Sequence, residues 1–385
     1  MLKTLMPFVF FCFAINNLTA QDLGNHIGLN FIRPDVNRSG YYDFNHNTKW
    51  LLKQYSKLDV KWNRVAFSWV DIQTEKDKFN WKTYDEIVDY CYQKDIKIVA
   101  TLGGHFDDPK VPAWAGTNLT DVLENHPDHL ANFVKAWVKR YAGKIDYWEI
   151  LNEPINQHFD LSTENYVDKI LKPCAEIIRS LDKSAHILAC DFGSLPKKNR
   201  EYFWQNSRDY VDIYNMHLYI MWGKFRDIAS ADLEIEKITK FRHEMIAQGL
   251  QDKPFWITEI GWWGTRNYQM LKDTGRNEVK RPWTGKEIST SEIHLREDSL
   301  RSVWLKDLFP KAVKIDGCGN IFLWCAMDEY EGGFNETTLY HTSMLQMYHT
   351  KDEKHPLFSL WGIFSGDKKW KKSAYSLREI IRTGK

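Results

Sequence analysis

Eight short runs rich in β-branched and aromatic residues recur along this chain, at 26–31, 63–69, 96–102, 145–151, 185–190, 211–217, 254–258 and 319–324. Between them the apolar period changes. Tyr166, Ile170, Cys174, Ile177 and Leu181 fall three or four residues apart, as do Ile238, Phe241 and Met245, and further helical stretches lie at 81–93, 127–141, 291–308 and 371–381. Eight strands alternating with helices is the number that closes a parallel barrel, so an α/β chain folded as a (β/α)8 TIM barrel is expected. A doubly wound open sheet alternates in the same way. Its glycine-rich phosphate turn, however, does not follow the first strand after Phe31.

Residues 1–20 stand outside this pattern. Lys3 supplies a positive start, 5–15 is an unbroken apolar stretch, and Asn16 to Ala20 forms a short polar exit. That order reads as a signal peptide cut after Ala20, which implies a secreted or periplasmic protein and leaves 21–385 as the barrel domain. Leu18, three residues before the cut, is larger than the residue usual there. A membrane anchor needs about 20 apolar residues, more than this run or any later segment supplies. Cys12 lies inside the apolar run rather than just after it, against a lipid anchor.

With no internal repeat and no Gly/Ser/Pro-rich linker, a single domain is expected, acting as a monomer. Two strand-to-helix loops are long, Gly261 to Thr290 after the seventh strand and Ala326 to about Lys368 after the eighth. Such loops rise from the catalytic face of a barrel, and Trp262, Trp263, Trp283 and Trp361 on them suit a substrate cleft better than a padded rim. Basic and acidic residues number 52 and 51, leaving no electrostatic footprint for nucleic acid. Excluding Cys12, five cysteines remain, an odd count without C-x-x-C spacing, so no zinc site is expected. Asp328, Glu329 and Glu331 cluster without fixed ligand spacing and read as a solvated loop. Neither metal nor cofactor is expected.

The chemistry gathers at two strand ends. The fourth strand runs Ile145-Asp146-Tyr147-Trp148-Glu149-Ile150-Leu151 into Asn152-Glu153-Pro154, and Pro154 cannot donate to a ladder, so Glu153 is left at the rim. The seventh runs Pro254-Phe255-Trp256-Ile257-Thr258-Glu259 and turns at Gly261. A carboxylate ending an apolar strand is costly to bury and calls for a reason. Two of them facing one mouth suit glycoside cleavage.

With these two segments the chain resembles the clan A glycoside hydrolases, whose barrels carry Asn-Glu after the fourth strand and a Glu after the seventh. The resemblance spans 21–385. It implies a retaining hydrolase of poly- or oligosaccharides with an equatorial, β-type leaving group, Glu153 as acid/base and Glu259 as nucleophile. It further implies that Asn152 holds the sugar 2-hydroxyl, that Arg64 supports the nucleophile and that His105 binds sugar. His217 and Tyr219 share one strand face with Asn215 and match a pattern in which the Tyr donates to the nucleophile. Trp324 would floor the non-reducing subsite. Glu149 shares the face of Glu153 but, at about 3.3 Å per residue, lies about 13 Å deeper, where it suits a partner for Arg64 better than a sugar ligand. Two other functions remain open at this point. One is a transglycosylase using the same glutamates; the other is a non-catalytic carbohydrate-binding barrel.

Overall fold

The computed structural model describes residues 23–31, 45–103, 111–155, 161–189, 196–219, 229–262, 290–327, 362–365 and 368–384. The 1–20 segment, His105, most of the two long loops, and Asp328, Glu329 and Glu331 lie outside these residues.

Eight parallel strands close in chain order: β1 (Ile27–Phe31), β2 (Trp62–Phe67), β3 (Lys97–Leu102), β4 (Tyr147–Glu149), β5 (His186–Ala189), β6 (Ile213–Leu218), β7 (Phe255–Ile260) and β8 (Cys318–Leu323), with β8 pairing back onto β1. A long helix follows each strand: α1 (Asn45–Leu58), α2 (Lys82–Gln93), α3 (Pro127–Tyr141), α4 (Lys172–Leu181), α5 (Lys197–Ser207), α6 (Asp232–Ala247), α7 (Thr290–Ala312) and α8 (Lys372–Thr383). The expected (β/α)8 barrel is therefore present. The sequence periodicity did not single out α1 or α5.

Two apolar layers divide the work. Alternate strand residues such as Val65, Phe67, Ile98, Trp148, Ile187 and Ile257 face outward into a core shared with the helices. The other face fills the bottom of the barrel with Trp62, Val99, Leu188, Ile213, Trp256 and Phe322. Trp62 stands edge-on to Tyr147 and Trp256, with ring centroids 4.9 and 5.0 Å away, an arrangement the ring quadrupole favours. A Cβ at Gly319 would run into Trp256, so this floor requires glycine there. With its lower half plugged, the barrel is a packed core, and chemistry is confined to the upper mouth.

The helix following β3 shows how sequence sets local structure. Pro127 opens α3 where its missing N–H costs nothing, and Asp128 begins while Lys139 and Arg140 end the helix, as its dipole favours. Leu130, Phe133, Val134, Trp137 and Val138 form its buried stripe. Trp137 meets the outward-facing Trp148 of β4 edge-on at 4.8 Å, which fixes β4 just below the site. Before α4 the helix widens into a π-turn at Val167–Leu171. The turn ends two residues before Pro173, whose absent N–H interrupts the regular ladder there.

Candidate active site

Above the aromatic floor the barrel interior turns polar. Arg64 on β2 is buried and uses all five guanidinium N–H groups. Its Nε donates to Glu149 (2.6 Å) and Nη1 to Glu259 (2.7 Å) and Asn30 (2.9 Å). Nη2 donates to Glu149 (3.1 Å) and Asn152 (2.7 Å). A planar fork with every donor used holds its partners in one fixed geometry. Thr101 and Asn215 also donate to Glu149, and Asn215 reaches Thr258 Oγ1 at 2.8 Å.

Glu259 reaches this hub through an irregularity in β7. Trp256 faces the floor, and Asn215 touches Thr258, so strict alternation would send Glu259 outward into the helix layer. Instead β7 carries one extra residue against both neighbours. Met216 pairs with Ile257 but His217 with Glu259, and Ile321 pairs with Ile257 but Leu323 with Ile260. This bulge turns two consecutive residues inward. Asn30 Nδ2 donates to the Thr258 carbonyl at 2.9 Å, satisfying backbone that the bulge takes out of the ladder.

Glu153 is delivered differently. β4 ends at Glu149, five residues before Pro154, and Leu151 (φ 66°) and Glu153 (φ 47°) adopt left-handed backbone. Non-glycine residues there cost of order 1–3 kcal/mol each and persist where surrounding contacts hold them. The 13 Å depth expected for Glu149 assumed an extended climb and is corrected by this turn. Asn152, three residues beyond Glu149, shares Arg64 Nη2 with it. Because Asn152 accepts through Oδ1, its amide NH2 faces away from Arg64, oriented to donate.

β6 and the residue just after it supply the inward row Asn215, His217 and Tyr219. The His217 Nδ1 lies 2.9 Å from Glu153 Oε1 and 3.4 Å from Glu259 Oε2, bridging the two carboxylates. Tyr219 donates its hydroxyl to Glu259 Oε2 at 2.8 Å. One donor atom each from Glu153, His217 and Glu259 lies within 4.8 Å of the others. Glu259 and His217 are almost wholly enclosed, whereas the Glu153 side chain keeps 14 % exposure, so Glu153 is the more accessible carboxylate.

Burial raises the Glu259 pKa above the ordinary carboxylate value. The charges of His217 and Arg64 pull it down, Glu153 pushes it up, and the Tyr219 hydrogen bond lowers it. Burial and the adjacent Glu259 charge push the Tyr219 phenol well above its usual range, so it stays a donor. Burial alone would lower the Arg64 pKa, but the Glu149 and Glu259 charges raise it, keeping the guanidinium charged. Arg64 and Tyr219 already occupy both Glu259 oxygens. His217 joins that carboxylate to Glu153.

Trp324 follows β8, partly exposed, with its backbone N–H on the Ile260 carbonyl at 2.8 Å. Trp262 is instead buried against Trp304, ring centroids 5.6 Å apart, and so belongs to the core rather than a cleft. Cys91, Cys174 and Cys318 are free thiols, and burial pushes each of them up to about 12. Sequence reasoning missed Asn30, Thr101 and Thr258. Their only signal is a small polar residue inside an apolar strand.

A parallel eight-stranded barrel whose mouth joins a strand-four Glu to a strand-seven Glu has the architecture of the clan A glycoside hydrolases. The family model described as glycosyl hydrolase family 10 matches residues 37–172. That segment includes Arg64 and Glu153 and ends well before β7. The chain is 28% identical over 96 residues to an endo-1,4-beta-xylanase of Gibberella zeae, covering 24% of this chain and 25% of the xylanase. It is also 28% identical over 127 residues to an aryl-phospho-beta-D-glucosidase of Bacillus subtilis strain 168, covering 31% of this chain and 25% of that protein. Each match thus spans about a quarter of the curated relative. In fold, the chain is similar to a xylanase 10C from Cellvibrio japonicus in complex with xylopentaose. The TM-score is 0.61 at 14% identity, over 95% of this chain and 69% of the other.

Proposed function

We propose that the protein is a secreted retaining glycoside hydrolase that cleaves β-linked poly- or oligosaccharides by double displacement. Glu259 attacks the anomeric carbon while Glu153 protonates the departing oxygen. The glycosyl-enzyme is then released by a water that Glu153 deprotonates. Asn152 donates to the 2-hydroxyl, a contact that strengthens as positive charge develops on the ring. The observation carrying this reading is the closeness of the two carboxylates, which have oxygens within 4.8 Å of each other and share His217 Nδ1. Retaining pairs stand about 5–5.5 Å apart, whereas inverting pairs leave about 6.5–9.5 Å for a water.

The similarity to xylanases makes β-1,4-xylan the first substrate to test, beside β-mannan, β-glucan and β-galactan. Proton NMR of the earliest products is expected to show the β anomer. Early α anomer from a β-linked substrate would overturn the retaining mechanism, and an inert protein across the panel would overturn the hydrolase. Secretion makes its own prediction: the exported protein should begin at Gln21.

Tyr219→Phe removes one hydrogen bond to the nucleophile and leaves the ring. Turnover is expected to fall roughly 10- to 100-fold. Because that bond lowers the Glu259 pKa, its loss moves the acid limb of kcat/KM to higher pH. Full activity with an unmoved limb would remove Tyr219 from the site.

A further inference from the structure

The double-displacement reading has no use for Glu149, yet this carboxylate is 1 % exposed and takes four hydrogen bonds. Burying a charge so completely, one guanidinium away from the nucleophile, is costly unless it is balanced. We propose that Glu149 is a positioning residue of the catalytic centre. By sharing Arg64 with Glu259, it sets the direction of the guanidinium and the share of positive charge that reaches the nucleophile. The inference rests on that reading.

Two features of the geometry carry it. First, Glu149 takes two of the five Arg64 bonds, through Nε and Nη2, and so fixes the plane of the fork. The remaining donors, aimed from that plane, hold Glu259 and Asn152. One carboxylate below the site thereby aligns both the nucleophile and the candidate 2-hydroxyl donor. Second, two negative charges divide one positive charge, each within 2.7 Å of a guanidinium nitrogen. Where water is excluded such interactions are strong, so removing the Glu149 charge leaves Arg64 to serve Glu259 alone.

The sign follows from the groups around each carboxylate. Glu259 faces Arg64 from β2, Glu153 after β4, and His217 and Tyr219 from the β6 row, with Cys325 behind Tyr219. Glu149 faces Arg64, Thr101 of β3 and Asn215 of β6. Among these, only Arg64 contacts both carboxylates and carries a fixed positive charge. Neutralising Glu149 therefore favours ionised Glu259, lowers its proton affinity and weakens it as a nucleophile.

Glu149→Gln in the mature enzyme tests this with little change of shape. The Asn215 Oδ1 is buried and has no hydrogen-bond partner among the described residues. Its amide can therefore turn over to accept from the introduced NH2. On an aryl β-glycoside that the wild type cleaves, the acid limb of kcat/KM should move to lower pH, opposite to Tyr219→Phe. The plateau kcat should drop roughly 10- to 100-fold with KM little changed. Glu149→Asp, which keeps the charge one methylene short, should leave the limb near its wild-type position and recover part of the lost kcat. A residue that merely props the barrel would lower the melting temperature without moving the limb.

An active wild type with coincident limbs for wild type and Glu149→Gln overturns this inference alone. So does Glu149→Asp shifting as far as Glu149→Gln, or failure of both variants to fold. A wild type inert on every glycoside overturns the hydrolase reading and this inference with it.

Discussion

Glu259→Ala is expected to bring turnover of every natural glycan down to background, a fall on the order of 10⁵-fold or more in kcat. Without the carboxylate no glycosyl-enzyme forms, and no neighbouring group can replace it. His217 lies 3.4 Å from Glu259 but already bonds Glu153. The barrel itself should survive, because Arg64 keeps Glu149, Asn30 and Asn152 as partners. KM should change little for the same reason. Small anions such as azide can enter the vacated space and attack the anomeric carbon directly, giving a glycosyl azide of inverted configuration. Wild-type rates in this variant, or an azide product with retained configuration, would remove Glu259 from the nucleophile's role.

Glu153→Ala should divide substrates by leaving group. A dinitrophenolate departs without a proton, so the intermediate still forms quickly from the activated glycoside. Its breakdown slows because no base deprotonates the water. Azide needs no base, and should restore turnover with retained configuration, opposite to its product with Glu259→Ala. Unactivated glycans should slow roughly 10²- to 10⁴-fold, the usual worth of general acid–base help. The site also adjusts locally: His217 Nδ1 loses its 2.9 Å partner, leaving the Glu259 oxygen at 3.4 Å. Hydrolysis of unactivated glycans at the wild-type rate would mean that another group carries the proton.

The strand count was readable because each inward–outward alternation is short and each helix between is long enough to show its own period. The ends of the strands were not. β4 reads as continuing to Leu151, since nothing in Ile150-Leu151-Asn152 announces left-handed backbone at non-glycine residues. Those dihedrals are imposed by tertiary contacts, among them the hold of Arg64 on Asn152. Glu153 was found through its Asn-Glu-Pro setting, and Arg64 through its strand position. What escaped was the fivefold engagement of Arg64, because hydrogen-bond geometry joins residues 30, 64, 149, 152 and 259 from four parts of the chain.

The extra residue in β7 bears on how chains of this architecture lose activity. Substitution of a glutamate is the visible route. Loss of the bulge with no change in residue count is a second, because strict alternation from the inward Trp256 would turn the Glu259 carboxylate toward the helices. Such a barrel would still spell Thr-Glu-Ile-Gly at the right place and lack a nucleophile. In the proposed mechanism, the bulge in this strand matters as much as the glutamate itself.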